Sequence, residues 1–236
     1  MNVHSSRETF DRALQKLLDQ VLILGSMVEQ AIQESMRALK ARDFAAARRI
    51  YDADQRINEK RYAIERECII LIATQQPMAR DVRFLAAILE IITELERIGD
   101  YAKGICKINL LMSEEPVDQA SLFSLQEMAE RGLGMLRRAL DAFVNHDVLT
   151  ARAIPLEDDL IDVLYNQLYR TLLAQMMANP SSVDRGNHLM WAAHNLERMA
   201  DRVINICERI VYVSTGEMKE LDLTDGLQIG DEYENG

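Results

Sequence analysis

Two stretches, LERIGDYAKGIC at residues 95–106 and LERMADRVINIC at 196–207, decide the fold, because they are one stretch written twice. Leu, Glu, Arg, Asp, Ile and Cys recur at matching positions with an offset of 101, Leu95 falling on Leu196. The repeat extends upstream at an offset of 104. There Ala38, Asp43, Ala47, Arg48, Asp54 and Ile57 fall on Ala142, Asp147, Ala151, Arg152, Asp158 and Ile161. The slip from 104 to 101 predicts a loop three residues shorter in the second half, where QQPMARDVR (75–83) is set against NPSSVDRGN (179–187). A period near 100 residues is too long for a solenoid and reads as two copies of one small domain. The expected units are residues 1–113 and 114–216, followed by an acidic tail at 217–236.

Each half is written in a 3.6-residue period. Leu14, Leu17, Val21, Leu24, Val28 and Ile32 form a helical stripe in the first 40 residues. Asp43 is placed to cap a second helix running to about Thr74, and Gln75-Gln76-Pro77 breaks it. Pro77 suits the first turn of a third helix ending near Met112. The linker SEEPVDQ (113–119) leads into helices expected at 119–145, 147–178 and 183–215, with Gly216 terminating the last. In that last helix Leu196, Met199, Val203, Ile206, Ile210 and Val213 alternate steps of three and four, the seam of a coiled helix pair. The expected fold is therefore all-α: six long helices in two tandem three-helix bundles.

Composition narrows the function. A net charge of −11, from 27 basic and 38 acidic residues, argues against nucleic acid as a partner. No apolar run approaches the length of a membrane span, and the polar start MNVHSSRETFDRAL (1–14) does not read as a signal peptide. Three cysteines without close pairing fit a reducing cytoplasm. Cys106 and Cys207 match each other among apolar neighbours and read as small core residues. The stretch MARDVR (78–83) reads as an ordinary polar helix start, and the tail, with seven acidic residues, as mobile.

The chemistry lies in the carboxylates. Glu96/Asp100 and Glu197/Asp201 are like-charged i,i+4 pairs, each repelling by roughly 0.2–0.5 kcal/mol on a helix. Such a repulsion kept in both halves points to a positive species between the acids. With Leu95 and Leu196 in the seam, both pairs fall on the polar side. Asp158 and Asp162 add oxygens from the second helix of the second half. Asp54 and Asn58 stand at the matching places in the first half, where Asn58 lowers the charge by one. Oxygen-only donors suit a hard cation: magnesium, calcium, manganese or iron, with zinc a further candidate. The alternative is a solvated face screened by Arg97 and Arg198. A di-iron bundle would need a Glu-x-x-His, which the chain lacks, and the four histidines do not pair at ligand spacing. No catalytic constellation is visible, so a di-metal helix-bundle enzyme ranks below a binding protein.

The segments IATQQPMARDVR (72–83), ELERIGDYA (94–102) and NLERMADRVINICERIVYVSTGE (195–217) resemble the PhoU family of phosphate-signalling regulators. The resemblance runs from the first helix to about residue 217 and implies two similar three-helix bundles. It implies a cytoplasmic protein, commonly a homodimer, associating with the membrane only through partners. Those partners would be the phosphate ABC transporter, through its ATPase subunit, and a sensor histidine kinase. The implied role is negative regulation of the phosphate-starvation response and a limit on phosphate uptake. Some members hold metal through a repeated Glu/Asp-x-x-x-Asp motif, which maps onto Glu96/Asp100, Glu197/Asp201 and Asp158/Asp162. Asp54/Asn58 departs from it. A helical adaptor of another transporter is the competing reading.

Overall fold

The computed structural model describes residues 3–112 and 117–221. Most of the tail expected to be mobile, residues 222–236, lies outside the described residues, as does 113–116 of the linker. The first half is α1 (Val3–Ala41), α2 (Phe44–Gln75) and α3 (Ala79–Leu111). The second is α4 (Gln119–Asn145), the short α5 (Val148–Ala153), α6 (Asp158–Ala178) and α7 (Val183–Thr215). Among the described residues there is no strand.

The repeat is legible in the backbone. Arg42 and His146, which match at an offset of 104, both take left-handed φ values, 56° and 53°. Asp43 and Asp147 follow and cap the next helices, their carboxylates accepting from the N–H of Ala46 at 2.8 Å and of Thr150 at 3.0 Å. Gly216 ends α7 at φ 77°, as the sequence predicts.

Three expectations differ from the structure. The helix predicted over 147–178 is interrupted: Ile154–Glu157 form a 3-10 turn between α5 and α6. Pro155 is the cause, since it lacks an N–H and its ring crowds the preceding turn. Tyr51 stands at the matching place in α2, which continues unbroken. Pro77 precedes α3 and does not sit in its first turn; Met78 is the N-cap residue and the helix starts at Ala79. The second-half connection is not shorter: Gln76, Pro77 and Met78 separate α2 from α3, whereas four residues, with a 3-10 turn at Pro180–Ser182, carry α6 into α7. The slip is taken up by the helix start instead, since at the offset of 101 Val183, the first residue of α7, falls on Val82, three residues inside α3.

The predicted seams are buried, except that Leu14 at the start of the first is half-buried. Leu17, Val21, Leu24, Val28 and Ile32 of α1 are in the core, as are all six seam residues of α7. Each such side chain contributes about 1.5–3 kcal/mol by leaving water. The two bundles do not bury separate cores: one continuous cluster draws on helices of both halves. The broadest contact in the molecule joins α3 to α7, and α1 also packs on α4. Helices α3 and α7 run antiparallel, as the pairs Glu90–Arg209, Glu94–Asn205 and Tyr101–Arg198 show. Phe84 of α3 stacks on Phe143 of α4 with ring centroids 5.2 Å apart, a further tie between the halves. Cys68, Cys106 and Cys207 are buried free thiols, each pushed up to about 12 by loss of solvent. They are core residues at this pKa, far from the thiolate.

Candidate carboxylate sites and family

Each half places carboxylates of its second helix against those of its third. In the first half the aspartate from α2 is not on a solvated face: Asp54 is 4% exposed. Its Oδ2 accepts from Lys103 Nζ at 2.7 Å and from Asn58 Nδ2 at 3.2 Å, while Oδ1 is buried without a hydrogen-bond partner. Lys103 reaches it from α3 and also lies over the Tyr51 ring, 5.4 Å from its centroid. The contact with Asp54 raises the Lys103 pKa. Glu96 is half-buried and Asp100 exposed. Burial raises the Glu96 pKa, with Asp100 and Asp54 adding to it and Arg61 and Arg97 opposing. Burial raises Asp100 likewise, with Asp54 adding and Lys103 opposing.

In the second half Asp158, Glu197 and Asp201 are half-buried and Asp162 is exposed. Asp158 opens α6 directly after the Pro155 turn. Its Oδ1 is buried without a hydrogen-bond partner. Burial pushes its pKa up to about 7, reinforced by Asp162, Asp201, Glu197 and Asp159. Glu197 is also raised, by burial and then by Asp201, with His194 opposing. His194 Nδ1 stands 3.3 Å from Glu197 Oε2, an ion pair only when the ring is protonated. Asp162 is raised by burial and by Asp159.

The predicted residues are thus brought together in two like arrangements, but among the described residues no three His, Cys, Asp or Glu side chains stand close enough to hold a metal ion. The donor set is oxygen only, which fits hard cations and not the nitrogen and sulfur preference of zinc. Of the screening arginines, Arg97 binds Glu94 at 2.7 Å while still opposing the rise of Glu96, and Arg198 lies over Tyr101. Helix-face reasoning placed the pairs Glu96/Asp100 and Glu197/Asp201 off the core, and there Asp100 is exposed while Glu96, Glu197 and Asp201 are half-buried. Asp54, which that reasoning did not cover, is buried because α3 covers that side of α2.

Two residues outside the sequence reading matter here. Glu94, 9% exposed, accepts from Arg97, Arg202 and Asn205 where α3 meets α7. Its signal was a charged residue directly before the seam residue Leu95. Lys103 carries the second: its partner at an offset of 101 is Ile204, so the repeat breaks from basic to apolar. Away from these sites, an open cleft of about 880 Å³ between α1 and α2 is lined by Glu34, Arg37, Asp43, Arg49, Asp52 and Arg56, charges of both signs.

Comparison with known proteins fits this architecture. The PhoU domain matches twice, over residues 21–108 and 125–210, one match per bundle. A phosphate-specific transport system accessory protein PhoU from Edwardsiella tarda is 35% identical over 217 residues, 92% of this chain and 88% of the relative. The Escherichia coli protein of that name is 34% identical over 217 residues, covering 92% and 89%. The crystal structure of the phosphate transport system regulatory protein PhoU from Streptococcus pneumoniae superposes with a TM-score of 0.83 at 34% identity, covering 89% of this chain and 99% of that one. PhoU from Pseudomonas aeruginosa gives 0.83 at 29%, covering 88% and 100%. Both halves and nearly the full length match, and the chain belongs to the PhoU family of phosphate transport accessory proteins.

Proposed function

We propose that this chain restrains the phosphate-starvation response by binding, bridging a phosphate ABC transporter and a sensor histidine kinase, and that it limits phosphate uptake. The observation that carries this is the doubled bundle matched along its length by proteins named for phosphate transport accessory function. Transmission of a signal requires that the protein bind one state of a partner better than another. A body with one core across two bundles suits that task, because contact at one bundle is felt at the other without a hinge. No helix among the described residues is long and apolar enough to cross a membrane. Membrane association would then come through the transporter's ATPase subunit, with the protein in the cytoplasm and commonly as a homodimer. The halves act as units at 1–113 and 114–216, with 217–236 as an appended acidic tail.

The carboxylates add a metal-dependent surface to this reading. Asp158, Asp162, Glu197 and Asp201 would hold a hard cation in the second half, and Asp54, Glu96 and Asp100 are the corresponding acids of the first. The unpartnered Asp158 Oδ1 and the mutual repulsion of these acids support it. A bound cation would convert a repulsive negative face into one able to dock a partner.

Deleting the gene and measuring alkaline phosphatase in high phosphate tests the regulatory role. Constitutive activity, repressed again by the intact gene, is the expected result. Normal repression would overturn it and favour an adaptor of another transporter.

A further inference from the structure

The open cleft of about 880 Å³ lies between the C-terminal part of α1 and the N-terminal part of α2. Small walls leave it open, since Ala38, Ala41, Ala46 and Ala53 line it. Three arginines line it as well: Arg37 from α1, and Arg49 and Arg56 from α2. Other arginines of these two helices pair with an acid one turn away, as in Arg7–Asp11, Arg48–Asp52 and Arg61–Glu65. Among the described residues Arg49 and Arg56 enter no ion pair, and Arg37 donates only from Nε, to the Gln33 carbonyl at 3.3 Å. Two of the lining acids are already engaged: Asp43 caps α2 through the Ala46 N–H, and Asp52 pairs with Arg48 at 3.1 Å. Glu34, which accepts from Gln30 at 2.8 Å, is the lining acid left to oppose the three cations. In a chain of net charge −11 the cleft is a local reversal of sign.

The repeat supplies an independent comparison. At the offset of 104, Glu34 and Ala53 become Arg138 and Glu157. In the second half these two form a bridge, Arg138 Nη1 and Nη2 donating to Glu157 Oε1 and Oε2 at 2.5 and 2.6 Å. That bridge ties α4 to the turn after α5, where the first half stays open. The three cations are lost together: Asp141, Ala153 and Leu160 stand in the places of Arg37, Arg49 and Arg56. The open groove and its arginines thus occur in the same half, and the bridge occurs where they do not.

We propose that this cleft binds a small anion carrying two or more linked phosphoryl groups, held by Arg37, Arg49 and Arg56. A guanidinium is planar and pairs with phosphoryl oxygens two at a time. Arg49 and Arg56 stand two turns apart on α2, about 10 Å along its axis, and Arg37 comes from the other wall. A single phosphate ion is too short to be shared among them, and a chain of phosphoryl groups is not. Exposed ion pairs are individually weak, so a ligand gains only by engaging several at once. The cleft has the size of small-molecule sites, so a nucleotide fits as well as a bare phosphate chain. The site involves none of the carboxylates of α3, α6 and α7 and stands apart from the regulatory reading.

The test is isothermal titration calorimetry on the full chain at physiological ionic strength, in buffer passed over a chelating resin so that no metal bridges the anion to an acid. The probes are tripolyphosphate, ATP and orthophosphate, and circular dichroism confirms that each variant is folded. Tripolyphosphate should bind at about one per chain, and orthophosphate at least about tenfold more weakly. ATP binding no tighter than tripolyphosphate assigns the site to the phosphate chain alone. Tighter ATP adds a seat for its base on the alanine floor, and both results support the site. Arg49→Ala with Arg56→Ala should weaken tripolyphosphate binding about tenfold or more. Arg37→Ala, on the other helix, should weaken it too and serves should the double variant fail to fold. Arg66→Ala with Arg170→Ala removes the same charge from other exposed helix faces and should leave binding unchanged. Glu34→Gln should tighten it, by removing the opposing carboxylate. The inference is overturned by absence of binding for tripolyphosphate and ATP alike, or by orthophosphate binding as tightly as tripolyphosphate. An equal loss in the Arg66/Arg170 variant, or a loss with Glu34→Gln, overturns it as well.

Discussion

Asn205 of α7 donates from Nδ2 to Glu94 Oε2 on α3, 3.1 Å away, and the repeat makes this contact the twin of one between Asn195 and Gly104. The offset of 101 turns Glu94 into Asn195 and Gly104 into Asn205. The two contacts therefore sit at matching points of the antiparallel α3–α7 pair. At one a buried carboxylate gathers donors. At the other the end of the Asn195 side chain faces the bare backbone of Gly104, and a Cβ there, 2.7 Å from Asn195 Nδ2, would push the amide aside. The junction between halves keeps the symmetry of the duplication in position and breaks it in chemistry.

Glu94→Ala should weaken that junction. The substitution leaves Arg202 and Asn205 without their acceptor in a largely buried setting. A loss of about 2–3 kcal/mol is expected in urea unfolding. The transition should remain single, because the core is continuous across both halves. A change below about 0.5 kcal/mol, as for an ordinary surface site, would contradict the assigned role.

Gly134→Ala should stabilise the protein. Gly134 lies inside α4, and a Cβ there meets nothing within 4 Å. A helix interior favours Ala over Gly by about 0.5–1 kcal/mol. Thermal melting should show a higher midpoint; an unchanged or lower one would mean that the position is packed.

Asp43→Ala removes the carboxylate that caps α2 through the Ala46 N–H. The expected cost is about 1 kcal/mol in denaturant unfolding. Asp43→Asn, which keeps a capping oxygen, should recover most of it.

Stability without metal should fall as pH rises from about 4 to about 7. Asp158 has its folded pKa raised from 3.8 to about 7, so the folded state holds a proton that the unfolded state has already released. Stability then declines with pH across that window and levels above it. Glu96, Asp100, Asp162 and Glu197 are raised as well and act in the same direction. Melting temperatures in chelator-treated buffers check this. Asp158→Asn should flatten the slope, raising the midpoint at pH 8 and leaving it unchanged at pH 4. A midpoint that climbs from pH 4 to pH 7 in the unmodified protein would contradict the raised pKa values.

The duplication, the long helices, their seams and most of their ends are written in the sequence, because each depends on residues a few positions apart: a 3.6-residue stripe, Asp43 and Asp147 as caps, Gly216 as a stop. The one misjudged helix, over 147–178, failed locally too, at Pro155 within an otherwise helical period. The acids of the candidate sites were also visible, since Glu96/Asp100 and Glu197/Asp201 are spaced on one helix. Tertiary structure alone decided what those acids meet. Helix rotation and crossing set α3 over the Asp54 side of α2, brought Lys103 to it across 49 positions of sequence, and left Ile204 in the matching place of α7. Periodicity says which face of a helix is buried, but it carries no information on which neighbour covers the edge of that face, and there the two halves of this protein part company.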